Sequence, residues 1–175
     1  MPWGGILLST RIQKAKKSLE SGTCTARSRL IGRSLRSVVV LENLGERQVK
    51  IDCDVIQADG GTRTASISGG FVALYQAINL LKKNYNIQKP IIKEFVAAIS
   101  AGIIEDQPIL DLNYIEDSSA QVDANFVICE SGKIVEIQAT GEEYFFSDEQ
   151  FQSIFTLAKK GITEIIQKQK EVLSQ

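Results

Sequence analysis

The chain has 175 residues, 43% of them hydrophobic and 23% charged, proportions that suit one folded domain with a core and exclude a disordered segment. It has no histidine, which excludes imidazole acid–base chemistry, histidine-based triads and histidine metal sites. The net charge is −1, yet residues 1–36 carry eight Lys/Arg against one acid, Glu20; such a basic end reads either as a solvated helix face or as a surface for a polyanion.

Residues 1–26 show no clear period and receive no element. No apolar run approaches the length of a membrane span. The basic residues follow the mildly apolar start Met1–Leu8 instead of preceding it, the wrong order for a secretory signal, so a cytoplasmic location and no membrane contact are expected. Leu30-Ile31, Leu35, Val38-Val39, Leu41 and Leu44 recur at helical spacing up to Gly45, a natural C-cap. This helix would carry Arg29, Arg33 and Arg36 on its other side. Val49, Ile51, Cys53 and Val55 alternate with polar residues, the mark of a strand with one polar face. A loop follows, Asp59-Gly-Gly-Thr-Arg-Thr64, and then a helix over Ser66–Lys83, in which Gly69-Gly70 would permit close packing at about 1 kcal/mol each in propensity.

Phe95–Ile104 is an almost unbroken apolar run and reads as a buried strand, with Ile109–Ile115 as its antiparallel partner. After an acidic loop, Glu116–Asp123, a hairpin joins Asn125–Cys129 to Ile134–Gln138 around Ser131-Gly132. Ser147 opens the last helix, with Gln150 at the capping-box position. The order α-β-α-β-β-β-β-α predicts an α+β or mixed fold with mainly antiparallel pairing. Cys24, Cys53 and Cys129 are odd in number and scattered, so neither a disulfide framework nor a zinc motif is expected.

Two stretches have the makings of a site. In Asp59–Ser66 a glycine-rich turn leads from a strand into a helix. Glycines let the backbone approach an anion, the helix start supplies N–H groups and partial positive charge, and Arg63 adds a fork for two phosphate oxygens. The hydroxyls of Thr62, Thr64 and Ser66 add donors. A plain capped turn is the simpler reading of the same residues. The Lys and spacing of a Walker A motif are missing, which disfavours a nucleotide triphosphatase. In Asp111–Asp123 the acids Asp111, Glu116, Asp117 and Asp123 fall within thirteen residues; beside a phosphate site they can hold Mg²⁺ or protonate a leaving oxygen, and alone they read as an exposed acidic loop. A phosphate cradle, acids and a basic helix together fit phosphoryl transfer from a nucleic acid, chemistry that is mostly positioning and electrostatics.

Four runs, Arg29-Leu-Ile-Gly-Arg-Ser-Leu-Arg36, Ile51–Ser66, Asp111–Asn125 and Gly132–Gln138, together resemble the RNase PH family in order and spacing, from about Arg29 to the C-terminus. On that resemblance the chain divides into an atypical segment, 1–28, and an RNase PH-like domain, 29–175. The resemblance implies an RNase PH-type βαβ sandwich of mainly antiparallel sheet and helices, incomplete at the N-terminus. It implies a phosphate-dependent 3′-to-5′ exoribonuclease that trims tRNA precursors and other RNA 3′ ends, rRNA included. Inorganic phosphate is the co-substrate, nucleoside diphosphates are released, and the reaction reverses as nucleotidyl transfer. It assigns phosphate binding to Gly61, Thr62 and Arg63, catalysis and Mg²⁺ to Asp117 and Asp123, and RNA or subunit contact to Arg29, Arg33 and Arg36. The implied assembly is a homohexameric ring.

Three departures bear on activity. The family's opening strands are not recognisable. A second phosphate-gripping arginine of the family falls on Thr23, as a shifted reading frame over 1–28 would produce. Gln138-Ala139-Thr140 replaces the family's usual Gln-Gly-Thr. Losing one charged ligand costs roughly 3 kcal/mol, about two powers of ten in rate. The alternative is therefore a catalytically inactive remnant that only binds RNA or assembles into rings.

Overall fold

The computed structural model describes residues 6–14, 26–141 and 145–174. The elements run β1 (Ile6–Lys14), α1 (Ala26–Ser37), α2 (Leu41–Leu44), β2 (Arg47–Val55), α3 (Thr62–Tyr85), β3 (Val96–Ile104), β4 (Gln107–Leu110), α4 (Tyr114–Ser119), β5 (Val122–Cys129), β6 (Ile134–Gly141) and α5 (Asp148–Leu173). They stack in alternating layers. A two-stranded sheet, β1-β2, lies against α1 and α3, and the other side of α3 lies against a four-stranded antiparallel sheet in the order β4-β3-β5-β6. On the far face of that sheet lies α5.

Alternation along β3 and β5 divides the core in two. Val96, Ala98, Val127 and Cys129 face α1 and α3, where Leu35, Ile67, Phe71, Leu74 and Ile78 complete one cluster. Ala97, Ile99, Ala101, Phe126 and Ile128 point the other way and meet Ile154, Ala158, Ile162 and Ile166 of α5. A strand covered on both faces is apolar at nearly every position, which is why Phe95–Ile104 reads as an almost continuous run. Being central, α3 is covered all round over Thr62–Tyr75, while its C-terminal turns expose Gln76, Asn79, Leu80 and Tyr85. A Cβ on its Gly70 would lie 3.3 Å from Leu35 Cδ1, so glycine there lets α1 settle onto α3. Gln169 of α5 sends its Nε2 to the carbonyls of Ser68 (2.8 Å) and Val96 (3.1 Å), tying three elements together. The predicted capping box at Ser147 and Gln150 closes as expected.

Four expectations need correction. Residues 1–26 do contain an element: β1 pairs with β2 along its whole length, placing Ile6, Leu8, Thr10 and Ile12 opposite Val55, Cys53, Ile51 and Val49. Their alternation with Leu7, Ser9, Arg11 and Gln13 was the legible signal. The helix expected to run to Leu44 breaks after Ser37. Val38-Val39-Val40 is a β-branched run that favours extended backbone, and it pairs with Ile91–Lys93 through Val40 N–H to Ile91 O (2.7 Å) and Lys93 N–H to Val38 O (2.8 Å). The helix expected from Ser66 starts four residues earlier, at Thr62. The strand expected over Ile109–Ile115 stops at Leu110, and a short helix, α4, takes its second half. Cys53 and Cys129 are free thiols. The run Ser21–Thr25, with Thr23 and Cys24, lies outside the described residues.

Candidate active site

The glycine loop ahead of α3 is shaped by backbone geometry. Gly60 and Gly61 both have positive φ, 67° and 53°, a region costly for other L-residues. A Cβ on Gly60 would fall 2.2 Å from the carbonyl oxygen of Leu112 and 2.8 Å from the carbonyl carbon of Asn113. Only glycine permits that approach, and the approach seats the loop on the segment between β4 and α4. A second link reinforces it: Asp59 Oδ1 accepts the backbone N–H of Tyr114 at 3.1 Å. The two stretches singled out in the sequence, 52 residues apart at Gly60 and Leu112, are thus joined side by side.

Gly61 is the N-cap of α3, so Thr62 and Arg63 occupy its first turn and not a free loop. The first N–H groups of a helix have no partner within it and present partial positive charge. Arg63 is half-buried and enters no ion pair among the described residues. Two of the expected hydroxyl donors are already committed: Thr64 Oγ1 donates to Gly61 O and Ser66 Oγ to Thr62 O, both at 2.7 Å. Of the hydroxyls expected to donate, only that of Thr62 is left without such a bond.

The acids lie on the other side of the junction. Asp111 adopts φ 60° and donates its N–H to Ser100 O at 2.8 Å, ending the β3–β4 pairing. Its residue surface is open, yet burial around the carboxyl, with Glu116 nearby, raises its pKa above the ordinary aspartate value. Asn113 caps α4 reciprocally with Glu116. That satisfies two backbone N–H groups at the start of this short helix, in whose first turn Asp117 stands exposed. Asp123 is in strand β5, not in the acidic loop where it was expected; it sits opposite Gly102 of β3 and Thr140 of β6. The register puts Asp123, Asn125 and Val127 on the sheet face turned toward α3.

The three arginines of α1 are exposed, but they differ. Arg33 is anchored across the fold: its guanidinium donates to Glu136 Oε1 of β6 at 2.8 Å, and Gln138 Nε2 donates to the same oxygen at 2.9 Å. Arg36 lines a cavity of about 820 Å³ between α1, β2 and α3, whose wall also includes Thr62, Arg63 and Ser66. Arg29 makes no ion pair with a described residue. Sequence reasoning missed the stapling role of Asp59. It also missed Ser100, whose signal was a lone hydroxyl within an apolar buried strand.

Comparison with known proteins matches this arrangement. A model of the 3′ exoribonuclease family, domain 1, matches residues 8–78, and one of the same family's domain 2 matches residues 94–161. Ribonuclease PH of Bacillus subtilis (strain 168) is 56% identical over 163 residues, 93% of this chain and 66% of that protein.

The chain belongs to the RNase PH family.

It spans just under two thirds of the length of that relative. The family match begins at residue 8, ahead of Arg29. Among solved structures, rice (Oryza sativa) Rrp46 superposes with a TM-score of 0.76 at 18% identity, covering 96% of this chain and 83% of that one. The Archaeoglobus fulgidus exosome with RNA bound to its active site gives 0.68 at 15% identity, with 93% and 78% covered. At such identities the likeness is one of fold, and it is the RNase PH fold in both. Among the described residues no helix is long and apolar enough to cross a membrane.

Proposed function

We propose that this chain is a phosphate-dependent 3′-to-5′ exoribonuclease of the RNase PH type, acting on tRNA precursors and other RNA 3′ ends. The observation that carries the reading is the seat of Gly60 on Leu112, which sets the N-terminus of α3 beside the segment bearing the acids. In this reading inorganic phosphate is held by the backbone at Gly61 and Thr62 and by the fork of Arg63. A phosphate oxygen attacks the last phosphodiester. The bond from that phosphorus to the 3′ oxygen of the preceding nucleotide breaks, the oxygen takes up a proton, and a nucleoside diphosphate leaves. The α3 N-terminus and Arg63 offset the charge that builds on the phosphoryl oxygens.

Asp117 and Asp123 act on the leaving oxygen, one as proton donor or both through Mg²⁺. No group of three ligating side chains occurs among the described residues. Mg²⁺ needs no such group, since it keeps several waters and takes one or two carboxylates plus substrate phosphates; Asp117 and Asp123 would hold it. When bound, the ion supplies charge neutralisation at the leaving oxygen. Arg29 and Arg36 serve RNA or subunit contact, while Arg33, held by Glu136, orients α1 against β6. The working domain takes in β1, which pairs with β2, together with residues 29–175, and the working assembly is a homohexameric ring.

The test is to incubate the chain with a 3′-extended tRNA precursor with and without inorganic phosphate and to separate the products. Nucleoside diphosphates that appear only with phosphate are expected. Nucleoside monophosphates would mean hydrolysis, and RNA binding without any nucleotide release would return the reading to a non-catalytic ring or RNA-binding subunit.

A further inference from the structure

Three buried hydroxyls surround the turn where α3 begins: those of Thr64, Ser66 and Ser100. Thr64 and Ser66 spend their protons on backbone carbonyls of that turn. Ser100, in β3 directly beneath, is 3% exposed, and its Oγ has no hydrogen-bond partner among the described residues. It looks up at the turn, since a Cβ on Gly61 would lie 3.5 Å from Ser100 Oγ. Buried hydroxyls are nearly always paired, so an orphan beside unpaired helix N–H groups asks for a partner.

The surroundings of Ser100 narrow the choice of partner. Across the sheet it pairs with Asn125, and Asn125 pairs with Gln138; the adjacent row is Gly102, Asp123 and Thr140. Both rows face α3. Ser100 therefore stands between the helix start that carries Arg63 and the strand that carries Asp123. A partner there meets the unpaired backbone N–H groups of the α3 start and a hydroxyl proton, donors that suit an oxyanion. Around the same Gly61 position Thr64 Oγ1 lies at 3.4 Å and Asp111 Oδ1 at 3.9 Å.

We propose that Ser100 is the floor of the phosphate cradle, its hydroxyl donating to inorganic phosphate from the sheet side and setting the distance of that phosphate from Asp123. This rests on the phosphorolytic reading above and adds to it a ligand on a different element.

The test compares wild type with Ser100→Ala by thermal unfolding with and without inorganic phosphate, and by phosphorolysis at varied phosphate. Without phosphate the variant should melt at the same temperature or higher, because an unpaired buried hydroxyl is removed. The rise in Tm that phosphate gives the wild type should shrink, and KM for phosphate should rise by about tenfold or more while KM for RNA stays put. Ser100→Cys, nearly isosteric and a weak donor, should behave the same way, and it keeps the test open if the alanine variant does not fold. A variant that retains the full phosphate response overturns the role of Ser100 and leaves the phosphorolytic reading standing. A wild type that neither binds phosphate nor turns over with it overturns both.

Discussion

At the scale of single residues, the site is built from backbone conformations that few side chains tolerate. Asp111 holds φ 60° with a carboxyl whose pKa is raised by burial and by Glu116. A raised folded-state pKa in an acid means that the native state binds the proton more tightly than the unfolded chain does. Stability from this group is therefore fully present below the unfolded value and is lost as pH rises through the folded value. Asp111→Asn should accordingly raise Tm at pH 7, with the gain vanishing at a pH below both values. Asparagine tolerates positive φ, so the backbone adds no penalty. Asp111→Ala should instead be destabilising, because alanine is strained there. Thermal melts of both variants across pH check the pair. Gly60, Gly61 and Arg63 were legible in sequence as a candidate cradle, beside the simpler reading of a capped turn. That Thr64 and Ser66 would turn inward onto the backbone was not, because a hydroxyl in the first turn of a helix has both choices and packing decides between them.

At the scale of elements, the molecule depends on what α3 and α5 clamp between them. Gln169 reaches from α5 to carbonyls of α3 and β3, and Gln169→Ala leaves that contact empty. A cost of about 1–3 kcal/mol is expected, read from urea unfolding at 25 °C. Phase in the sequence revealed most elements. The period-2 pattern of Val49–Val55, the continuous apolar run at Phe95–Ile104 and the helical stripe after Ser147 each correspond to what is observed. Two of the failures share one cause. Val38–Val40 leaves the helix because Ile91–Lys93 offers strand pairing, and Tyr114–Ser119 leaves the strand because Asn113 and Glu116 cap each other. In both, a partner outside the period overrides it.

At the scale of the whole molecule, stability is unevenly distributed. The four-stranded sheet is covered on both faces, while β1-β2 is a two-stranded sheet whose inner residues Val49, Ile51 and Cys53 are only half-buried and whose Val55 is 46% exposed. The cavity of about 820 Å³ lies between that sheet and α1 and α3. Two strands with little cover are marginal, and local opening follows sparse burial. Hydrogen–deuterium exchange should therefore find amides of β3 and β5 protected up to global unfolding and those of β2 exchanging first. Equal protection in both sheets would contradict this division.

The sequence alone determined the family, the alternation of elements and the residue types of the site. These depend on local period and on long runs that few folds share. Tertiary structure alone decided that the two runs meet, by the contact of Gly60 with Leu112, and that Asp123 belongs to a strand facing α3. It also decided that Ser100 finds no hydrogen-bond partner among the described residues. Each of these is a relation between residues distant along the chain, fixed by sheet register and by the close packing of a helix start on a loop, and no pattern within a local window carries it.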